Sequence, residues 1–308
     1  MARKVVLIAD PGIDTSFALA LALHDPNLDV LGIVPTAGNV SASRATLNVQ
    51  ILLDHLDPPR RPRTASALPA VYDRDGTAMH GPDGLGGVDF ASVERHNSLA
   101  ADKLLAELIR EHPHEVSLIC LGPTTTIAHT FDRDPDLVAL IDQLILVGGS
   151  WKVPGNAGPC SEFHFTLDPE STRKLIHLGV HPIIVPLDVT RKLIFSPTEL
   201  FELPNPTSQT GKFLRAIVPY AIRASSNIYG IEGFHLKDVL GVVVLALPGS
   251  VRTLPHVVEI ESKGEFTRGM MVVDDRKSTT GRPNVQLALD AAVGEIRQYV
   301  ARMLANAP

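Results

Sequence analysis

KVVLIADPGIDTS, residues 4–16, is the stretch whose reading decides the fold. Lys4 to Ala9 is apolar with no polar alternation, as a strand must be when both of its faces are covered. It ends at Asp10, turns at Pro11-Gly12, and passes into the helical spacing of Ser16 to His24. A buried strand followed by a tight turn and a helix is the unit of a parallel sheet wrapped by helices.

The same alternation recurs along the chain. Strands are expected at Val30 to Thr36, Val116 to Leu121, Gln143 to Val147, Ile183 to Pro186 and Val257 to Glu261. Helices are expected at Ser41 to Leu56, Leu99 to His112, Thr125 to Phe131, Pro169 to Leu178, Gly211 to Ser225, Val239 to Leu247 and Val285 to Leu304. The loop-like stretches Pro58 to Pro69 and Asp73 to Gly87 do not interrupt the style, so one α/β domain with a mostly parallel central sheet is expected over residues 1–308.

With 308 residues, 44% of them apolar, the chain can bury a large core, which excludes a disordered or fibrous protein. A net charge of -6, with no basic run longer than Arg60-Arg61, leaves no footprint for nucleic acid or an anionic membrane. No apolar run approaches the roughly 20 residues of a membrane span. The expected partner is a small molecule. Two cysteines and an opening without a charged, apolar leader fit a reducing, cytoplasmic setting.

Open α/β sheets build their sites at the carboxyl ends of their strands. Here those ends carry Asp10 and Asp14, then Thr36-Ala-Gly-Asn39, Leu121-Gly-Pro-Thr-Thr, and Val147-Gly-Gly-Ser with Gly155-Asn156 and Glu162-Phe-His164 behind it. His80-Gly-Pro-Asp83-Gly-Leu-Gly86 and His235-Leu-Lys237-Asp238 add two histidines and an acid. Each has a plain structural reading: Asp14, Thr15, Ser16 or Asp238 as a helix cap, Gly38-Asn39 as a turn, Asn156 and Glu162 as solvated loop residues. Together they bring acids and amides to one rim without a basic cradle, which suits a neutral polyhydroxylated ligand such as a sugar.

The ordered set Asp10-Pro-Gly-Ile-Asp14, Gly38-Asn39, His80-Gly-x-Asp-Gly-Leu-Gly, Leu121-Gly-Pro-x-Thr, Val147-Gly-Gly, Gly155-Asn156, Glu162-Phe163, Asp168-Pro, Leu187-Asp-Val-Thr190, Asp238 and Gly269-Met resembles the inosine-uridine-preferring nucleoside hydrolases from about Lys4 to Leu304. The resemblance implies hydrolysis of the N-glycosidic bond of ribonucleosides to base and ribose, with a calcium ion at the carboxyl edge of the sheet and a homodimeric or homotetrameric assembly. It implies Asp10 as metal ligand and general base, and Thr15, the Leu121 carbonyl and Asp238 as further ligands. Asp14, Asn39, Asn156 and Glu162 would hold the ribose hydroxyls, with His164 among them and Tyr229 stacking on the base. Candidate proton donors to the leaving base are His80, His235, Tyr229 and Lys237; histidine titrates nearest neutrality, and His235, three residues before Asp238, is favoured over His80.

The chain departs from the family pattern at chosen places. Thr15 stands where an aspartate is usual, Ile8 where an acid is usual, His164 and Thr126 where asparagines are usual, and Lys237 where a histidine is usual. Two carboxylates instead of three on the metal imply weaker calcium binding. A nucleoside-binding or regulatory homologue with a degraded metal site is the second reading.

Overall fold

The computed structural model describes residues 2–90, 99–278 and 280–308. The strands are β1 (Arg3–Ala9), β2 (Leu28–Pro35), β3 (Arg63–Thr64), β4 (Val116–Leu121), β5 (Gln143–Val147), β6 (Ile183–Val185), β7 (Ile194–Phe195), β8 (Phe234–His235), β9 (Val251–Ile260), β10 (Met271–Asp274) and β11 (Val285–Ala291). Nine of them form one sheet in the order β10-β9-β11-β6-β5-β4-β1-β2-β3, and β7 pairs antiparallel with β8 in a separate two-stranded sheet. From β11 through β3 every pairing is parallel, and at one edge β9 alone runs the other way, antiparallel to both β11 and β10.

Alternate residues of β1 enter different cores. Val5, Leu7 and Ala9 pack into the cluster on one face, and Val6 and Ile8 into the cluster on the other. That two-sided burial is why Lys4 to Ala9 reads as a continuous apolar run. β1 has β2 on one side and β4 on the other, so chain order reverses between β1 and β4. This switch point opens a crevice at the carboxyl ends of both strands, where Asp10 and Leu121 stand.

One expected helix is wrong at its first half. Val285 to Leu304 divides into β11 and the helix Val293–Asn306. Val285, Leu287 and Leu289 alternate with Gln286, Ala288 and Asp290, a strand period that merges into the helix because neither glycine nor proline lies at the junction Ala291-Ala292. β11 is held between β9 and β6, and the sheet thereby decides its conformation.

The helix expected over Ser16 to His24 starts earlier, as Ile13–His24, and Gly12 is its N-cap without a side-chain bond. Asp14 therefore lies in the first turn and does not cap it. The helix Val239–Ala246 is buried nearly throughout and follows Asp238, whose side chain makes no cap bond either. Gly241 lets this helix press on the sheet, since a Cβ there would sit 2.6 Å from Val147 Cγ2 and 2.9 Å from Leu121 Cδ2. Asp238 is thus set against the ends of β4 and β5 by a glycine. Among the described residues no helix is long and apolar enough to cross a membrane.

Candidate active site

Four carboxylates converge at the switch point. Asp10, Asp14, Glu162 and Asp238 are each at most 2% exposed. Burying four acids together is unfavourable unless hydrogen bonds and cations hold them.

Asp10 is enclosed first by backbone. Its Oδ2 accepts the Asn39 N–H at 3.2 Å, and the Asn39 side-chain amide donates to the Asp10 carbonyl at 2.8 Å. Gly38 is required here, because a Cβ at that position would lie 2.2 Å from Asp10 Oδ2. His164 Nε2 stands 3.5 Å from the same oxygen. The Val147 carbonyl takes a hydrogen bond from His164 Nδ1 at 2.9 Å, so Nδ1 carries a proton. Burial pushes the His164 imidazolium down, but the Glu162 and Asp10 carboxylates more than offset this and lift it to about 10. Asp10 itself is raised by burial, against the lowering influence of His164. Its other oxygen, Oδ1, is buried and has no partner.

Asp238 mirrors this. Its Oδ2 accepts the Thr15 hydroxyl at 2.6 Å, while its Oδ1 is buried and unpartnered. Burial and the neighbouring Asp14 hold its carboxyl well above the usual range. Asp14 faces two nitrogens, Lys237 Nζ at 3.8 Å and His80 Nε2 at 3.9 Å. Burial alone would lower Lys237, and Asp14 reverses that, keeping the amine above its ordinary value. His80 is anchored differently, for its Nδ1 accepts the Ile13 N–H at 3.1 Å and so carries no proton. Burial pushes it down to about 4.

Glu162 Oε2 accepts the Gly149 N–H at 3.1 Å and the Phe165 N–H at 3.2 Å, capping the short helix Phe163–Leu167. Asn156 Oδ1 accepts the Phe163 N–H at 2.8 Å. Neither is a solvated loop residue. Glu162, His164, Lys237 and Asp238 line one narrow cleft, and Lys237 also borders a larger cavity of about 400 Å³. Asn156, Tyr229 and His235 line that cavity, with Met79, Leu187, Ile194, Ile231 and Phe234 as its apolar walls. Tyr229 and His235 meet edge to face, ring centres 6.3 Å apart. Burial, then Lys237 and Arg191, push His235 down to about 4.

The buried carboxylates and this largely apolar cavity meet at Lys237, which borders the cavity and faces Asp14 at 3.8 Å. A profile of the family described as inosine-uridine preferring nucleoside hydrolase matches residues 5–298. The chain belongs to that family. It is 33% identical over 311 residues to the non-specific ribonucleoside hydrolase RihC of Escherichia coli O157:H7, covering all of both chains. Among solved structures, a plant nucleoside hydrolase, PpNRh1, superposes with a TM-score of 0.92 at 25% identity, over 99% of this chain and 100% of that one. A purine-preferring ribonucleoside hydrolase from Gardnerella vaginalis shares the fold, with a TM-score of 0.89 at 24% identity over 98% and 99% of the two chains.

As a nucleoside hydrolase family member, the chain can be tested for the cation its resemblance implies. Asp10 Oδ1 and Asp238 Oδ1 are buried carboxylate oxygens without partners, which is what a hard cation needs. Thr15 presents only a neutral oxygen, and its proton is committed to Asp238. Among the described residues no group of three His, Cys, Asp or Glu side chains could hold a metal ion. What the residues offer a cation is thus limited to two unpartnered carboxylate oxygens, Asp10 Oδ1 and Asp238 Oδ1, beside the neutral Thr15 hydroxyl.

The structure also brings in residues that the sequence reading passed over. Arg191 borders the large cavity and donates from Nη2 to the Gly155 carbonyl at 3.0 Å, fixing the loop that carries Asn156. Ser225 borders it too, with a buried hydroxyl that has no partner. Arg191 directly follows the Leu187-Asp-Val-Thr190 motif, which was its one available signal. Ser225 sits within an amphipathic helix and has no signal at all.

Proposed function

We propose that this chain hydrolyses the N-glycosidic bond of ribonucleosides, releasing base and ribose, with Asp10 as the general base. The observation that carries the reading is the convergence of buried Asp10, Asp14, Glu162 and Asp238 beside a largely apolar cavity, with Lys237 bordering both. Breaking the bond from C1′ to the base nitrogen places positive charge on the ribose ring, and fixed carboxylates in a dry site stabilise that charge most. Asp10 is suited to take the proton of the attacking water, since burial raises its basicity and its Oδ1 is free. Asp14, Asn156 and Glu162 would receive ribose hydroxyls, and Asn39 would keep the Asp10 backbone in place. Asp10, Thr15, the Leu121 carbonyl and Asp238 would hold calcium, which when bound orients and acidifies the water.

A free-ribose assay over a panel of purine and pyrimidine nucleosides, run with calcium and with chelator, tests the reading. Release of ribose and base is the expected result, falling with chelator. Ligand-induced melting shifts without turnover would favour a nucleoside-binding homologue instead, the reading to which Thr15 lends weight.

A further inference from the structure

The cavity of about 400 Å³ has the opposite electrostatic character to the neighbouring carboxylate cleft, with which it shares Lys237. Its described lining contains two fixed cations, Arg191 and Lys237, and no carboxylate. Lys237 shares Asp14 at 3.8 Å. Arg191 has no carboxylate within ion-pair distance among the described residues, and its only hydrogen bond there is to a main-chain carbonyl. Two polar atoms on the same wall, Ser225 Oγ and His235 Nδ1, are buried without partners. Arg191 and Lys237 are half-buried, and the buried polar atoms beside them are unfavourable unless a ligand completes them.

Resting on the function proposed above, we infer that the cavity is built for an acidic base: the preferred substrate is a ribonucleoside whose heterocycle carries a carboxylate or ionises readily. A neutral base closing over this wall would leave Arg191 uncompensated. An anionic one supplies a charge-assisted partner to the guanidinium and acceptors to Ser225. The His235 imidazole is held down first by burial and then by Lys237 and Arg191, which places both cations within reach of this wall. The chemistry agrees as well. When the C1′–N bond breaks, its electron pair goes to the base nitrogen, the water oxygen bonds to C1′, and the water proton goes to Asp10. An already anionic base gains a second negative charge in that step, and two fixed cations stabilise it as it leaves.

The test compares pairs in which one member is the more acidic: orotidine with uridine, and xanthosine with inosine. In the wild-type protein kcat/KM for the acidic member is expected to exceed that of its partner by roughly tenfold or more. Arg191→Met is expected to lower that ratio at least about tenfold, and Arg191→Gln, which keeps a donor for the Gly155 carbonyl, serves if the first variant does not fold. A wild-type ratio near or below one, or a ratio unchanged in the variants, overturns the inference. If no nucleoside is hydrolysed, the proposed function fails on its own, and calorimetry with free orotate and uracil still decides the inference. Tighter orotate binding that depends on Arg191 supports it, and equal binding of the two overturns it.

Discussion

The Thr15 hydroxyl donates to Asp238 Oδ2 at 2.6 Å, joining the first turn of the first helix to a segment 223 residues later. Replacing that hydroxyl by a carboxylate would put two anions where one hydrogen bond now stands. Without calcium, Thr15→Asp is therefore expected to lower the melting temperature through like-charge repulsion. With calcium the third anionic donor should tighten binding, enlarging the calcium-induced melting shift. Calorimetry on both proteins checks this, and unchanged or weaker affinity would mean that the four candidate donors do not form one shell.

Asp10→Asn should retain the fold, because the Asn39 N–H still finds an oxygen acceptor at that side chain. Turnover should drop by about a hundredfold or more, the usual loss for a general base. Circular dichroism together with the ribose assay separates the two effects. Full activity in the variant would remove Asp10 from the role.

Gly241→Ala places a methyl group 2.6 Å from Val147 Cγ2, inside a close-packed contact between helix and sheet. Overpacking of this kind destabilises by about 1–3 kcal/mol, readable as a lower urea midpoint. The helix Val239–Ala246 must move outward, and Asp238 moves with it. Activity is then expected to fall more than stability alone explains, whereas a stable variant with normal turnover would show that the contact yields freely.

Acid stability should depend on His80. Its folded value, about 4, lies below the ordinary 6.5, so between those pH values the unfolded chain binds more protons. Stability is then lost as pH falls from 6.5 towards 4 and changes no further from this group below that. Between pH 7 and 5 the loss from His80 alone is about 2 kcal/mol. His80→Gln, which can still accept the Ile13 N–H, should flatten that limb in urea unfolding at the two pH values. An equally steep loss in the variant would assign the acid limb to other groups.

The parts of this molecule legible in its sequence are those governed by local or two-sided burial. β1, β4 and β5 are continuous apolar runs because helices cover both of their faces, and the acids stand at their ends because strand-to-helix turns open there. β11 was misread because its period-two pattern is short and leads straight into a helix, and only its neighbours β9 and β6 make it a strand. In the site, the acids and amides could be named from their motifs. Arg191 and Ser225 could not, since an arginine after a turn and a serine in a helix acquire meaning only when the cavity assembles around them.

The departure of the base distinguishes Lys237 from His235. The sequence favoured His235 as proton donor, from its place three residues before Asp238. In the structure its imidazole is held down to about 4, so almost none of it is protonated at neutrality. Lys237 borders both the cleft holding Asp238 and the cavity of about 400 Å³ proposed for the base, and its amine stays charged. A fixed cation there stabilises the negative charge that develops on the leaving nitrogen without transferring a proton. p-Nitrophenyl riboside has a leaving group that needs little such help. His235→Ala is therefore expected to lower kcat/KM for this substrate and for a natural nucleoside by similar factors, as loss of a wall residue would. Lys237→Met should depress the natural nucleoside at least about tenfold more than p-nitrophenyl riboside. Were the selective loss to appear in His235→Ala and not in Lys237→Met, the histidine would be the group that acts on the leaving base.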